Sequence, residues 1–418
     1  MSLRIAFLRP RLGIGGAERF IVDAAHELIA KGHHVAFHVP VAAGSQEFQD
    51  VPAAMPFYRN GAWLPEQVGG RLRLPCAIAR TLAAARGLAS VRPAYDVVIS
   101  DVLPHVLPWL KRRSPAGLLY FGHFPDVRLT RTPRHGWYAR YRAPFDRWES
   151  EGLAAADSIV VNSRFTAATF RQAFPELASL PIEILHPGVR IPARRAKGTR
   201  YRIAGMADDA MVLLCIGRFD PRKNLTLAVQ ALAALRTRMT PGAFARLQLV
   251  FIGRLDSRLP EARETLAGLA NEAHTWNLKR QVFFVNSPSA ADQAAWLDRA
   301  LVVIHTAETE HFGLVPLEAM AAGRPVIAVN RGGPLETVVV GRTGLLCEPT
   351  PEAFAAAIAR FINEPDLARR MGTEGRAHVE ERFSRERFGD QLDAMVRQLT
   401  SKIRTAGVPR NAADVSSD

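Results

Sequence analysis

The chain has 418 residues, more than one hydrophobic core usually organises, so two domains of roughly 200 residues each are expected. With 48% hydrophobic and 22% charged residues, its composition is that of a folded globular protein and excludes a disordered one. A net charge of +14 favours anionic partners without choosing among nucleic acid, acidic lipid and phosphorylated small molecules.

The opening MSLRIAFLRP runs straight into a strand-like segment, without the apolar core and cleavage site of a signal peptide, so a cytoplasmic chain is expected. Cys76, Cys215 and Cys347 lie far apart and form no Cys-x-x-Cys pair, which suits a reducing compartment and gives no zinc site. No stretch offers the roughly 20 apolar residues needed to span a bilayer. Val102 to Leu110, the best candidate, holds two prolines and runs into Lys111, Arg112 and Arg113. Any membrane contact is therefore expected to be peripheral, on the cytoplasmic face.

Ile5 to Leu8 reads as a buried strand, Gly13-Ile14-Gly15-Gly16 as a tight turn, and Ala17 to Ala30 as a helix closing at Gly32. His34 to Val39 is the next strand, which completes a βαβ unit. Val97 to Ser100, Leu118 to Phe121 and Ser158 to Asn162 repeat the pattern and predict an α/β domain with a mostly parallel sheet over residues 1–190. Pro and Gly break periodicity at Pro187 and Gly188, and the basic residues 191–200 read as a linker.

A second α/β domain is expected over 201–384. Its strands are Met211 to Ile216, Leu247 to Ile252, Val282 to Phe284, Leu301 to His305 and Val326 to Val329, with a helix at Leu225 to Arg236. Helical spacing resumes in Glu352 to Asn363 and Pro365 to Met371, and a long amphipathic helix fills 385–403. The polar tail 404–418 is expected to be disordered.

The first glycine turn fails as a dinucleotide fingerprint, since its spacing departs from Gly-x-Gly-x-x-Gly and no acidic residue ends the second strand. Gly15 and Gly16 still permit close backbone approach at a helix start, where N–H groups favour a phosphate or a sugar hydroxyl; a turn without ligand fits equally. Arg218 follows a strand and Lys223 precedes a helix, a pairing that suits a diphosphate or a solvated turn. Glu310-His311-Phe312-Gly313-Leu314 continues to Glu318, putting two carboxylates around a glycine that lets loop amides approach a ligand. His123, alone after a strand, reads by itself as a hydrogen-bonded core residue.

Taken together, Gly15-Gly16, His123, Arg218, Lys223, Glu310, Phe312-Gly313 and Glu318 resemble the retaining family 4 glycosyltransferases, whose motif is Glu-x7-Glu with a preceding Arg and Lys. The resemblance implies the GT-B fold: two Rossmann-like, doubly wound domains facing across a cleft, the first binding acceptor and the second the nucleotide sugar, with the last helix crossing back. It further implies that His123 orients the donor sugar, that Arg218 and Lys223 meet the diphosphate, and that Glu310 and Glu318 hold sugar and ribose. No metal or other cofactor is implied.

Within the family, His123-Phe-Pro-Asp126, Tyr141-Arg-Ala-Pro144, Val161 to Ala167, Lys223-Asn-Leu-Thr226, Glu310-His-Phe-Gly313 and Gly332-Gly-Pro-Leu-Glu336 resemble the lipid-linked oligosaccharide α-1,3/1,6-mannosyltransferases. By that resemblance the donor is GDP-mannose and the acceptor a lipid-linked or other glycan. His311 departs from the glycine common in the wider family, and the Ala- and Arg-rich composition suggests a bacterial relative. Arg128, Arg131, Arg134, Arg140 and Arg142, interleaved with Trp137, Tyr138 and Tyr141, suit an anionic membrane surface or a solvated helix face. The alternatives are a UDP-sugar-dependent transferase, an epimerase or phosphorylase on the same fold, and a basic nucleic-acid-binding protein, for which no recognition motif is present.

Overall fold

A computed structural model describes residues 1–11, 16–41, 55–69, 72–123, 136–177, 180–193, 206, 209–255 and 259–405. The chain forms two compact units, Met1–Gly188 with Arg385–Asp418, and Val189–Ser384. Of the linker expected over 191–200, all but 191–193 lies outside the described residues, as does most of the tail.

In the first unit, strands β1 (Arg4–Leu8), β2 (His34–His38), β3 (Phe57–Tyr58), β4 (Val97–Asp101), β5 (Gly117–Gly122), β6 (Ser158–Val161) and β7 (Ile182–Ile184) form one sheet in the order β3-β2-β1-β4-β5-β6-β7. Its described ladders are all parallel. Parallel strands need both faces covered, and the alternation of side chains supplies two apolar faces. Ile5, Phe7, Phe37, Ile99, Leu119 and Phe121 meet the Gly16–Ala30 helix, whereas Ala6, Leu8, Val98, Leu118 and Tyr120 meet helices on the other side. Each such large apolar side chain contributes about 1.5–3 kcal/mol on burial.

The helix expected over 385–403 runs Arg385–Thr405 and belongs to this first unit. Phe388, Leu392, Val396 and Leu399 recur at helical spacing and bury against the face that holds Phe20 and Phe7. Arg385 lies 3.0 Å from both Asp23 and Glu27, fixing the start of that helix to the Gly16–Ala30 helix.

The second unit holds β8 (Met211–Ile216), β9 (Leu247–Gly253), β10 (Val282–Asn286), β11 (Ala300–His305), β12 (Val326–Val329) and β13 (Gly344–Cys347), in the order β10-β9-β8-β11-β12-β13. Both sheets thus follow the doubly wound pattern in which the strand order reverses beside the first strand. In this pattern ligands bind beyond the carboxyl ends of the strands flanking that reversal. These are the ends of β1 and β4 in one unit, and of β8 and β11 in the other.

The helix expected at Pro365 to Met371 continues to Arg382, because Gly372 and Gly375 are absorbed where the chain passes close to Gly323 and Met320. The edge strands β3, β7 and β13, two to four residues long and largely only half-buried, escaped the sequence reading.

Candidate active site

In the second unit, β8 ends at Ile216, and Gly217-Arg218 turns into a short 3-10 segment, Pro221–Lys223. Asp220 caps it by accepting from the Arg222 backbone N–H, Pro221 supplies a fixed φ, and Asn224 ends it with a left-handed φ of 46°. The following helix begins at Thr226, so Lys223 precedes it by three residues, in keeping with the helix expected from Leu225. The turn aims the Lys223 ammonium at the loop that follows β11.

That loop, residues 306–313, folds back over the turn. Thr306 Oγ1 donates to the Lys223 carbonyl at 2.7 Å, and Asn224 Nδ2 donates to Glu308 Oε1 at 3.2 Å. Lys223 Nζ donates to Glu310 Oε2 at 2.5 Å, and His305 Nε2 lies 3.4 Å from the same oxygen. Both contacts fall on Oε2, which leaves Oε1 of the part-buried Glu310 without a partner among the described residues. Burial alone would raise the Glu310 carboxyl, but His305 and Lys223 outweigh it and hold the group well below the usual carboxylate range.

Glycine packing fixes this loop. Gly313 takes a φ of 89° at the N-cap of the Leu314–Ala321 helix. Gly332 and Gly333 lie directly against the loop: a Cβ on Gly333 would stand 2.3 Å from the Phe312 backbone, and one on Gly332 2.5 Å from the Glu310 carbonyl oxygen. The Gly333 N–H donates to that carbonyl at 2.8 Å. Phe312 is buried and His311 half-buried, while Leu314 opens the helix. Glu318 stands one turn into it, where Gln293 Nε2 donates to its Oε2 at 3.2 Å.

Arg218 is the outlying cation. Its side chain is 60% exposed and reaches Asp220 only at 3.4 Å, whereas Arg222 holds the same carboxylate at 2.6 Å. Burial opposes the charge on Asp220, yet the Arg222 hydrogen bonds bring its pKa down to about 2. Arg222 thus takes Asp220, and the Arg218 guanidinium remains weakly held, free to turn toward an incoming anion.

In the first unit, Gly16 opens the Gly16–Ala30 helix, while Gly15 lies outside the described residues. His123 follows β5, and its Nε2 lies 2.9 Å from Asp101 Oδ2 at the end of β4. Asp101 is wholly buried, and Arg9, one residue past β1, brings its Nε to 2.9 Å from Oδ1. The Arg9 N–H is not aligned on that oxygen, so the contact is an ion pair rather than a directed hydrogen bond. Phe20 and Phe121 pack edge-to-face with the imidazole at centroid distances of 5.8 and 4.8 Å. Of the basic and aromatic cluster, Arg128, Arg131 and Arg134 lie outside the described residues, as do the side chains of Trp137, Tyr138, Tyr141 and Arg142; Arg140 is exposed.

Residues 14–191 match the family model Glycosyltransferase Family 4, and residues 201–378 match Glycosyl transferases group 1. The chain is 37% identical to the Alpha-1,3/1,6-mannosyltransferase ALG2 of Rhizomucor pusillus, covering 95% of this chain and 92% of that one. It is also 37% identical to the Homo sapiens ALG2, covering 94% and 96%. The chain belongs to the ALG2 glycosyltransferase family.

Among solved structures, sucrose-phosphate synthase from Thermosynechococcus elongatus matches with a TM-score of 0.77 at 24% identity, covering 96% of this chain and all of that one. HepE from Anabaena in complex with UDP matches with a TM-score of 0.68 at 19% identity, covering 95% and 100%. The fold is therefore GT-B, as the family resemblance implied, and the protein is a glycosyltransferase. Arg9, Asp101, His305, Glu308 and Gln293 were not singled out from the sequence, and Asn224 entered only within the segment Lys223-Asn-Leu-Thr226. Only Asp101 left a signal there, as an acidic residue closing the apolar run Val97 to Ser100.

Proposed function

We propose that the enzyme transfers mannose from GDP-mannose to a lipid-linked glycan, with retention at the anomeric carbon and without a metal. The observation that carries this reading is the 37% identity, over nearly the whole chain, to mannosyltransferases from a fungus and from man. The site chemistry supports it. Lys223 and the weakly held Arg218 would neutralise a departing diphosphate, each contact worth on the order of 3 kcal/mol in the transition state.

In this reading Glu310 offers Oε1 to the sugar while Lys223 and His305 fix its other oxygen. Glu318 accepts from ribose hydroxyls, the amides of Phe312, Gly313 and Leu314 face the diphosphate, and His123 orients the donor sugar. The leaving phosphate takes the acceptor's proton. The acceptor's lipid brings the enzyme to the cytoplasmic surface of a membrane, where the net charge of +14 favours anionic headgroups. No helix among the described residues is long and apolar enough to cross a membrane.

Thermal-shift titration with GDP, UDP, ADP and their mannose and glucose conjugates tests the donor, because a ligand of the folded state raises the melting temperature by mass action. Selective stabilisation by GDP and GDP-mannose is expected. Selective stabilisation by UDP species would overturn the mannose donor and leave a UDP-sugar transferase in its place. Flotation with anionic liposomes at low salt tests the surface, and no lipid-dependent binding would remove it.

A further inference from the structure

Glu308 and Arg331, which the reading above leaves without a role, belong to a polar chain laid across the loops of the second unit. β8, β11, β12 and β13 are neighbours in that order, and the segment that follows each contributes one member: Asn224, Glu308, Arg331 and Glu348. Asn224 Nδ2 donates to Glu308 Oε1 at 3.2 Å, and Arg331 Nη1 donates to Glu308 Oε2 at 2.7 Å. Arg331 Nη2 lies 3.5 Å from Glu348 Oε2, and Asn330 Nδ2 donates to the other oxygen of Glu348 at 2.6 Å. Sheet order therefore assembles the chain, and Glu308 is the link whose two oxygens serve two different loops.

The far end of this chain is tightly set. Gly332 and Gly333 follow Arg331 directly and pack against the backbone of Glu310 and Phe312, and the Gly333 N–H donates to the Glu310 carbonyl. At the near end, Thr306 Oγ1 donates to the Lys223 carbonyl at 2.7 Å, and Glu308 holds the side chain of the next residue. One hydrogen bond acts as a pivot, whereas two on neighbouring residues fix the direction of the turn that carries them. Glu308 and Arg331 are 37% and 51% exposed, so as a surface pair they add little to stability, and their value lies in geometry.

We infer that Glu308, anchored by Arg331, is a positioning residue that holds the Pro221–Lys223 turn so that the Lys223 ammonium stays beside Glu310. Both partners of that ion pair are then referred to the same two glycines: Glu310 through its own carbonyl, and Lys223 through Asn224, Glu308 and Arg331. That the ammonium is held there to meet a diphosphate rests on the transferase reading above; the tie itself does not.

The test is competitive acylation of the lysines, read residue by residue by mass spectrometry, in Asn224→Gly and Glu308→Ala. Asn224 has a left-handed φ of 46°, which glycine adopts without steric cost, so Asn224→Gly keeps the turn and removes the tie. Glu308→Ala, at a half-exposed position, cuts the chain from the other side. In both variants Lys223 is expected to react several-fold faster than in wild type, while the exposed Lys279 reacts unchanged. Lys223 reacting at the wild-type rate in either folded variant overturns the proposal.

Isothermal titration with GDP and guanosine reads the consequence. Affinity for guanosine should stay as in wild type, while the advantage of GDP over guanosine falls by a few-fold to about tenfold. In a Lys223→Met background Glu308→Ala should cause no further loss, and an equal loss there would overturn the proposal, because Glu308 would then act without Lys223. Where Lys223→Met lowers the GDP advantage, a Glu308→Ala that weakens both ligands together or neither also overturns it, as a merely structural residue would do. If Lys223→Met binds both ligands as wild type does, the diphosphate role of Lys223 fails, and the acylation rates still decide whether Glu308 sets the turn.

Discussion

Lys223 and Glu310, 87 residues apart in the chain, meet in a 2.5 Å ion pair because the turn after β8 and the loop after β11 emerge from adjacent strands. The pair sits where both residues are three-quarters or more buried, so neither charge is fully hydrated when the other is removed. The two are therefore a unit, and substitutions at them should not add.

Lys223→Met is expected to slow transfer on the order of a hundredfold, as loss of a charge contact in a transition state does. Glu310→Gln should also slow it. In the double variant the stability loss should be smaller than the sum of the single losses by about 1–3 kcal/mol, because the single changes each leave an unpaired group. Urea unfolding of the four proteins measures this coupling, and strict additivity would show the ion pair to be incidental.

Gly333→Ala tests the loop from its far side. The new Cβ cannot fit 2.3 Å from the Phe312 backbone, so the Glu310–Gly313 segment must shift. Overpacking of this kind costs about 1–3 kcal/mol, and displacing site groups by an ångström costs on the order of a hundredfold in rate. Circular dichroism should show the fold retained while single-turnover transfer collapses. Transfer at the wild-type rate would mean that the loop has room it does not display.

The sequence made the elements of this site visible but not their pairings. Apolar runs of four to six residues marked most strands of both sheets, and Gly313 stands at the turn between the loop after β11 and the helix that carries Glu318. What composition and spacing could not express is adjacency across strands: that His305 shares an oxygen of Glu310 with Lys223, or that Asp101 lies beside His123. Arg218 and Lys223 looked alike as cations, yet the Pro221–Lys223 turn commits Lys223 to Glu310 and leaves Arg218 at the surface. Glycines 332 and 333 entered as part of a family resemblance, and their reason is steric, visible only once the chain folds against Phe312.

Glu318→Ala should weaken nucleotide binding by roughly ten- to a hundredfold, the range expected when hydrogen bonds to a charged group are lost. Gln293→Ala, which removes only the 3.2 Å bond that steadies the carboxylate, should move affinity in the same direction by a few-fold. Isothermal titration with the nucleoside and with its diphosphate separates the roles: a ribose contact weakens both ligands equally. Weakening confined to the diphosphate would reassign Glu318 to the phosphate end.

The last expectation concerns pH and lies away from the chemistry. His38, at the end of β2, is fully buried, stacks on Tyr58 and shares a 3.0 Å hydrogen bond with the Tyr95 hydroxyl; burial brings its pKa down from 6.5 to about 4. A histidine depressed in the folded state takes up its proton more readily when unfolded. Its contribution to stability is therefore complete above the unfolded value of 6.5 and is lost as pH falls toward the folded value near 4. Within that window one such group gives a slope approaching about 1.4 kcal/mol per pH unit. Burial also lowers His378, which adds to the slope in the same direction. Urea unfolding between about pH 7 and 5 should show His38→Gln with a shallower decline than wild type, the remainder coming from His378 and other groups. Identical slopes for the two proteins would mean that folding does not lower the His38 pKa.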